Sequence, residues 1–296
     1  ISYREYGIAG FHGLKVVDIP CEEKNYSVDM DAFRNVVKAV RPKLVVIGGS
    51  VILFPYPTKE IKAICDEAGS LLMYDTAHVM GLVGQGVFED PLAAGADVMS
   101  GSTHKSFPCG LGGWLFWNDP KYTADIDYAC HPGVVSTHGP LNRVVAMAVV
   151  LAEMLAFGKN YAAQVVKNSK ALAHGMAAEG FKPLYPHLDY TESHQVAVDV
   201  SAQGGGEAVA RAFESVNIIL NKNILPTDTE DEAFRNPQGL RIGCAEVTRM
   251  GFKEADMAEV AKFMRRIAID KQDAEKVRKD VVEFRKAFQK VRFCFD

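Results

Sequence analysis

The first half of the chain alternates short apolar runs with segments of helical periodicity, and this alternation restricts the possible fold more than any other feature. Residues 43–47 are almost continuously apolar, which is typical of a strand buried on both faces, and residues 71–74 repeat the pattern. Between them, residues 57–69 have the apolar spacing of a helix that Gly69 ends. Parallel strands need a connection of this kind, so the sequence predicts an α/β fold with a mostly parallel sheet flanked by helices.

The remaining pattern predicts further elements and two domains. We expect strands at 15–19, 97–99, 112–117, 194–200 and 240–243, and helices at 29–40, 140–157, 207–216 and, as an amphipathic pair, within 253–288, with one more helix ending near Gly180. Ser27 or Asp29 is expected to cap the helix at 29–40. The predicted division is a large domain over residues 1–157 and a smaller α+β domain over residues 158–296.

Composition excludes several classes of function. The 296 residues carry a formal net charge of -4 and scattered Lys and Arg, which argues against a nucleic-acid partner. The six cysteines form no C-x-x-C pair and no zinc spacing, so we expect no metal site and free thiols in a reducing, cytoplasmic compartment. The apolar run at 44–54 is far shorter than the roughly 20 residues that span a bilayer, and no membrane segment is expected. Because the first residue is Ile1, a fragment or a processed product is expected.

Lys105 is the residue best placed to act as a nucleophile. It follows the small and polar stretch 99–104 and precedes an apolar strand, so we expect it on a loop at a strand end. Such a loop allows the backbone to approach a ligand closely, and a lysine beside a buried strand end can lose its proton and become a nucleophilic amine. A lysine that is simply exposed to solvent is the alternative.

Two more charged residues accompany apolar strands. Asp75 either caps a turn or lies at the carboxyl edge of the sheet, where a carboxylate can pair with the protonated ring nitrogen of pyridoxal phosphate, and His78 would face the same pocket. Arg241 either points to solvent or binds a substrate carboxylate through two parallel hydrogen bonds.

Two common phosphate-binding motifs do not fit. A P-loop requires Gly directly before the Lys, where this chain has His104. No G-x-G-x-x-G follows a predicted strand, which argues against a nicotinamide enzyme of the Rossmann type.

Four ordered motifs resemble those of the serine hydroxymethyltransferase family of fold-type I pyridoxal-phosphate enzymes. Residues 75–83 read DTAHVMGLV and resemble D-x-A-H-x-x-G-L-V, and residues 103–105 read THK, as in that family. Residues 221–226 read NKNILP and resemble N-K-N-x-x-P, and residues 239–253 contain GLRIG and TRMGFK, which are similar to G-[IL]-R-[IV]-G and T-R-x-G-[FM]-x-[EK]. The resemblance runs from about residue 40 to residue 270.

The resemblance implies an enzyme that interconverts serine and glycine, with pyridoxal phosphate as cofactor and tetrahydrofolate as one-carbon acceptor. The resemblance implies that Lys105 is the Schiff-base lysine, that Asp75 pairs with the ring nitrogen and that Arg241 binds the substrate carboxylate. It further implies that His78 and Ser50 are neighbours of the ring hydroxyl and that His104 is a neighbour of the phosphate. Thr103 and Gly139 are implied as further cofactor-binding residues. His104 and His78 join Lys105 as expected catalytic residues. The loop through residues 132–140 resembles a segment that reaches the partner subunit, which implies a homodimer or homotetramer.

The chain also departs from the family pattern. The family's N-terminal portion, with its Ser-Gly-Ser phosphate loop, has no counterpart here. Thr227, Leu111 and residues 136–138 stand where the family has other residues, and Thr227 replaces a pterin-contacting Asn, which argues against folate use. Two alternatives stay open: a folate-independent aldolase or transaldolase acting on threonine-like amino acids, and a truncated, non-catalytic relative. Retention of Lys105, Asp75 and Arg241 together favours an enzyme.

Overall fold

The computed structural model describes residues 7–133 and 141–295. In chain order the strands are β1 (Cys21–Glu22), β2 (Ser27–Val28), β3 (Leu44–Gly48), β4 (Leu71–Asp75), β5 (Val98–His104), β6 (Pro108–Trp117), β7 (Lys182–Pro183), β8 (Gln195–Asp199), β9 (Asn221–Asn223) and β10 (Gly239–Gly243). The helices are α1 (Ile8–Phe11), α2 (Met30–Val40), α3 (Thr58–Ala68), α4 (Met80–Val83), α5 (Thr123–Tyr128), α6 (Leu141–Ala178), α7 (Gly206–Glu214), α8 (Glu230–Arg235), α9 (Ala245–Arg249), α10 (Glu254–Ala268) and α11 (Ala274–Arg285).

A four-stranded sheet in the order β3-β4-β5-β6 forms the first part of the fold. Strands β3, β4 and β5 are parallel, and β6 returns antiparallel to β5. The carboxyl ends of the three parallel strands therefore meet at one edge, where open α/β sheets place their ligands. The predicted fold class, a mostly parallel sheet flanked by helices, is confirmed.

Helices α2 and α3 form where their capping residues and apolar spacing predict. The Asp29 side chain accepts a hydrogen bond from the Ala32 backbone N–H and caps α2, which decides between the two predicted caps. Helix α3 buries Ile61, Ile64 and Cys65 on one face and ends at Gly69, which adopts the left-handed conformation. Both helices thus bury one apolar stripe and leave their polar faces to solvent.

The predicted loop before Lys105 is wrong in one respect. Strand β5 continues through His104, and β6 begins at Pro108, so both strands are longer than predicted. The pairing changes register between Ser102 and His104, where Thr103 is left out of the ladder. Such irregularities re-aim side chains next to functional sites. Lys105 therefore follows directly on the end of an irregular strand.

The predicted strand at 15–19 is also wrong. The structure assigns neither helix nor strand to these residues, and the nearest pairing is the short β1–β2 ladder. Val16 is 38% exposed and Val17 54% exposed, so two adjacent apolar side chains contribute no buried face. An apolar pair without alternation does not place a strand against a sheet.

A second, antiparallel sheet in the order β7-β8-β10-β9 belongs to the C-terminal part of the chain. Its central strand β8 is buried, and α7 and α10 contribute buried apolar residues to the same core. This arrangement matches the predicted α+β character of residues 158–296. The division into two domains at residue 157 stays a prediction, and α6 passes through that position without a break.

Helix α6 is a single helix of 38 residues where two were expected. Its second half packs into both cores: Tyr161, Ala162 and Val165 belong to the core of the first sheet, and Leu172 and Met176 to that of the second. Gly158 lies at the predicted break, but a single Gly is tolerated inside a helix and no Pro interrupts residues 141–178, so the two predicted helices are joined.

The first half of α6 contradicts the expectation that no segment is long and apolar enough for a bilayer. An 18-residue window of this helix has mean hydropathy 1.7, and only 17% of the window is buried. Length and hydropathy alone are weak evidence of a membrane span, because core helices of water-soluble proteins share both. What the structure does show is a row of apolar side chains at the surface of the described chain, including Val145 and Leu155.

Helix α4 lies against the segment that follows Lys105, and Gly81 permits this contact. A Cβ atom at Gly81 would lie 2.3 Å from the carbonyl oxygen of Ser106. The Gly81 N–H donates a hydrogen bond to the Ser106 hydroxyl over 3.0 Å. The close contact with Gly81 thus fixes the backbone next to Lys105.

We expect Gly81→Ala to lower the free energy of unfolding by about 1–3 kcal/mol, because the new methyl group must displace backbone atoms of Ser106 and Phe107. Urea unfolding measures the effect. Gly110→Ala is the matched control, since a Cβ there meets nothing within 4 Å. Equal stability of the two variants would contradict the tight packing of α4 against this segment.

Candidate active site

The carboxyl edge of the parallel sheet holds Asp75 in a fixed position. Gly48, at the end of β3, adopts φ +101°, and a Cβ there would lie 2.2 Å from the Asp75 carbonyl oxygen. The Asp75 carboxylate accepts hydrogen bonds from the Ala77 backbone N–H at 2.9 Å and from the Ser100 hydroxyl at 3.3 Å. The neighbouring strand ends thus orient the carboxylate.

A cavity of ≈ 460 Å³ lies between this edge and the C-terminal sheet. That volume is within the range of sites for small molecules and cofactors. Its polar lining combines residues from both parts of the chain: His78, His104, Lys105, His194, Gln195 and Arg241. Of the predicted site residues, His78, His104, Lys105 and Arg241 thus line one cavity.

Lys105 is half-buried at this cavity. Burial lowers the pKa of its amine, the positive charge of Arg241 lowers it further, and the carboxylate of Asp75 acts in the opposite direction. An amine with a lowered pKa is more often unprotonated near neutral pH, which is the form that attacks a carbonyl carbon. Lys105 thus has the environment expected of a nucleophile and not that of a solvated surface lysine.

His78 and His194 stack in the cavity with ring centroids 5.6 Å apart and planes inclined by 14°. Burial lowers the pKa of His78 to about 2 and that of His194 to about 3, and the charges of Lys105 and Arg241 contribute to both shifts. Both imidazoles are therefore neutral at physiological pH. The Nδ1 atom of His194 is buried and has no hydrogen-bond partner among the described residues.

Arg241 extends from β10 towards the carboxyl edge of the first sheet. Its Nη1 atom donates to the carbonyl oxygen of Ser50 over 2.8 Å, and its Nη2 atom lies 3.5 Å from Oδ1 of Asn221. The predicted alternative, an arginine pointing freely into solvent, does not describe this half-buried side chain. Ser50 is exposed at the same edge, and its carbonyl group is the part that Arg241 contacts.

The other predicted site residues take different positions. His104 is exposed and lines the cavity. Thr103 is fully buried, and its hydroxyl donates to the carbonyl oxygen of Gly110 over 2.5 Å, so it supports the turn of β5 into β6 from below. Gly139 lies outside the described residues, as does most of the loop expected to reach a partner.

Residues that the sequence reasoning missed complete the cavity. Gln195 and His194 are polar and almost fully buried at the start of strand β8, where Val196 to Val198 form the apolar run. Tyr161 lines the cavity from α6. Two polar residues at the amino end of an apolar strand were the available signal for Gln195 and His194, because buried polar side chains need specific partners.

Comparisons with known proteins now identify the family. The family model described as serine hydroxymethyltransferase matches residues 12–264. The chain is 48% identical over its whole length to a serine hydroxymethyltransferase of Methanocella arvoryzae and 46% identical to that of Pyrococcus horikoshii, covering 69% and 70% of those proteins. The chain belongs to the serine hydroxymethyltransferase family.

A solved structure gives the same fold. The L-threonine transaldolase from Pseudomonas fluorescens, solved in its internal aldimine state, has a TM-score of 0.86 and 27% identity, covering 98% of this chain and 65% of that one. The chain thus spans about two thirds of the length of these relatives. The predicted family, fold class and pyridoxal-phosphate enzyme class are confirmed, and the higher identity to serine hydroxymethyltransferases favours the main prediction over a transaldolase.

The residues at the cavity fit the cofactor of this family. Pyridoxal phosphate needs an amine for its aldehyde, an acid for its ring nitrogen and positive charge for its phosphate. Lys105 and Asp75, close enough for their charges to interact, provide the first two, and the buried Nδ1 of His194, without a partner among the described residues, adds a polar group to the cavity wall.

The neutral histidines predict a pH dependence of stability. In the unfolded chain a histidine binds a proton below about pH 6.5, whereas buried His78 and His194 do not until the pH approaches their lowered pKa values of about 2 and about 3, so acid favours unfolding. The wild type should lose unfolding free energy when the pH falls from roughly 6 to 5. We expect this loss to be smaller by about 1 kcal/mol in His194→Phe.

Urea unfolding at a series of pH values measures this slope. In His194→Phe the phenyl ring can keep the stacking on His78. The control is His187→Phe, the same substitution at an exposed histidine. If His194→Phe and the wild type lost stability equally on acidification, the imidazole of His194 would have to be protonated in the folded protein.

Proposed function

We propose that this chain carries the cofactor and substrate residues of a serine hydroxymethyltransferase, which interconverts serine and glycine with tetrahydrofolate as the one-carbon acceptor. The observation that supports the proposal is a cavity lined by both Lys105 and Arg241, with Asp75 close enough to Lys105 for their charges to interact. Family membership favours this activity over the alternatives.

When bound, pyridoxal phosphate supplies an aldehyde and a ring that withdraws electrons from the substrate. In our proposal Lys105 holds the aldehyde end, Asp75 the ring nitrogen, His78 and Ser50 the ring hydroxyl, and His104 the phosphate end. Thr103 supports this site from the strand before Lys105, and Gly139 belongs to the loop that would reach the phosphate in the partner subunit. The Asp75 carboxylate is already oriented by Ala77 and Ser100, so it does not have to reorganise when it receives a positively charged partner.

Lys105 supplies the nucleophilic amine. Because burial lowers its pKa, a larger share of the amine is unprotonated near neutral pH than for a solvated lysine. The nearby Asp75 carboxylate limits this effect, so the amine retains the ability to take up a proton. Lys105 is thus suited both to attack a carbonyl carbon and to accept a proton during the reaction.

Arg241 binds the carboxylate of the amino-acid substrate. A guanidinium has five N–H donors, and contacts to Ser50 and Asn221 use two of them, which leaves a pair for two parallel hydrogen bonds. The contact to Ser50 also fixes the plane of the guanidinium. The substrate thereby enters in one orientation relative to Lys105.

The test of the proposal is the visible absorbance that appears when pyridoxal phosphate binds covalently to a protein amine. We expect this band with the wild-type chain and with the exposed-surface control Lys59→Ala, and its complete loss in Lys105→Ala. A band of full intensity in Lys105→Ala would overturn the assignment. A wild-type chain without any band would favour the third alternative, a non-catalytic relative.

Product analysis then separates the two enzymatic alternatives. We expect glycine formation from serine to depend on tetrahydrofolate and to disappear in Lys105→Ala. Folate-independent release of acetaldehyde from threonine at a higher rate would favour an aldolase instead. The same preparation serves for both assays, so a difference cannot arise from folding.

We further propose a homodimer in a cytoplasmic setting. The apolar first half of α6 supports a partner surface, since exposed apolar patches of this extent usually mark an interface. We expect Val145→Asp, on that surface, to shift the mass in sedimentation velocity from dimer to monomer, whereas Lys59→Asp should leave it unchanged. A wild-type chain that sediments as a monomer at all concentrations would contradict the dimer.

A further inference from the structure

Gln195 joins three segments of the chain that are distant in sequence. It is the first residue of β8, only 1% exposed, and it precedes an apolar run that continues the buried strand. Its carboxamide contacts the backbone N–H of Ile52, the carbonyl oxygen of Ser50 and the ring of His78. A leucine or methionine would fill this position in a strand core equally well, so the amide itself requires an explanation.

Two backbone groups fix the orientation of that amide. The Ile52 N–H can only donate, and it lies 2.8 Å from Oε1 of Gln195. The Ser50 carbonyl oxygen can only accept, and it lies 3.0 Å from Nε2. Turning the amide over would place donor against donor and acceptor against acceptor. The identities of Oε1 and Nε2 therefore follow from the backbone and not from the histidine.

The orientation of the amide determines the protonation of His78. The Nε2 atom of Gln195 has two hydrogens; one faces Ser50 and the other faces Nδ1 of His78 at 3.0 Å. Nδ1 must therefore accept this hydrogen bond. A neutral imidazole carries its single proton on the other nitrogen, so His78 has its proton on Nε2.

The surroundings of His78 keep the imidazole neutral. Burial is the main cause of the lowered pKa of His78. The charged and titratable groups that act on the ring also disfavour a second proton; they are Lys105, His194, Arg241 and His104. Because Nδ1 already receives a hydrogen bond, a second proton would also break the contact with Gln195. His78 is thus held in one neutral tautomer.

We propose that Gln195 is a positioning residue that locks His78 in the tautomer with the proton on Nε2, and that His78 serves the cavity as a neutral hydrogen-bond donor. The ligand group that suits such a donor is a negatively charged or strongly accepting oxygen. The tautomer assignment stands on the contacts alone, whereas its use towards the cofactor rests on the proposed function.

The lock has a second effect on the site. Ser50 uses the same carbonyl oxygen for Gln195 and for Arg241, so both donors approach one point at the end of β3. Loss of the amide donor would leave the carbonyl to Arg241 alone. Gln195 therefore positions His78 directly and contributes to the setting of Arg241 through Ser50.

The experiment is a long-range ¹H–¹⁵N NMR spectrum of the side-chain nitrogens of the histidines, recorded on the folded chain without cofactor. His78→Ala identifies the His78 signals by their loss. We expect a protonated Nε2 and an unprotonated Nδ1 throughout the neutral range in the wild type. A protonated Nδ1 in the wild-type spectrum would overturn the proposal without any variant at Gln195.

Gln195→Glu tests the role of the amide. A carboxylate can still accept from Ile52 but has no hydrogen to donate to His78, so we expect the proton to appear on Nδ1. Gln289→Glu adds the same charge at an exposed glutamine far along the chain and should leave His78 unchanged. An unchanged His78 tautomer in folded Gln195→Glu would show that the amide does not set it and would overturn the proposal.

The consequence for the cofactor is measured separately. With pyridoxal phosphate bound, we expect Gln195→Glu to displace the wavelength maximum of the bound form relative to the wild type and to Gln289→Glu. An unchanged maximum together with a switched tautomer would refute the use of His78 towards the cofactor and leave the lock intact. Failure of the wild type to bind pyridoxal phosphate would instead refute the proposed function, and the NMR result would still stand.

Discussion

One backbone carbonyl, that of Ser50, holds the candidate active site together. It lies just beyond β3 and accepts hydrogen bonds from Gln195 on β8 and from Arg241 on β10, at 3.0 Å and 2.8 Å. The donors belong to the antiparallel sheet and the acceptor to the parallel one. The position of the substrate-binding arginine relative to the sheet edge that carries Asp75 therefore depends on this shared acceptor, which a side-chain substitution at residue 50 would not remove.

The charge distribution of the cavity determines which kind of ligand it favours. Burial lowers the pKa values of Lys105, Arg241, His78 and His194, because each would have to carry its positive charge away from water. Asp75 is the anion that acts on Lys105 in the opposite sense. A cavity with such a surplus of cationic and donor groups favours a ligand with anionic groups, and a phosphate together with an amino-acid carboxylate meets that requirement.

Much of the first half of the fold follows from local sequence, and the cavity only partly does. Strands β3 and β4 and helices α2 and α3 were predictable because caps, apolar periodicity and Gly69 agree with one another. The failed strand at 15–19 shows the limit, since an apolar pair says nothing about whether a sheet edge is available to it. The motifs around Asp75 and Lys105 located the site, but they did not reveal Gln195, whose three contacts lie more than 100 residues away in the chain. Long-range polar contacts of this kind leave no periodic trace in a sequence.

Helix α6 explains why the cavity is preorganised although its residues come from distant segments. The Tyr161 hydroxyl on this helix lies 3.2 Å from the carbonyl oxygen of Ala245 and 3.5 Å from that of Ser106, next to Lys105. About two turns before Tyr161 on α6, Glu153 pairs with Arg249 over 2.9 Å, and both side chains are largely buried. The same helix packs into both hydrophobic cores, so it cannot shift relative to one sheet without disturbing the other. The distance between Lys105 and Arg241 is thus set by a rigid element and not by a flexible connection, which is the condition for holding a small substrate in a single reactive orientation.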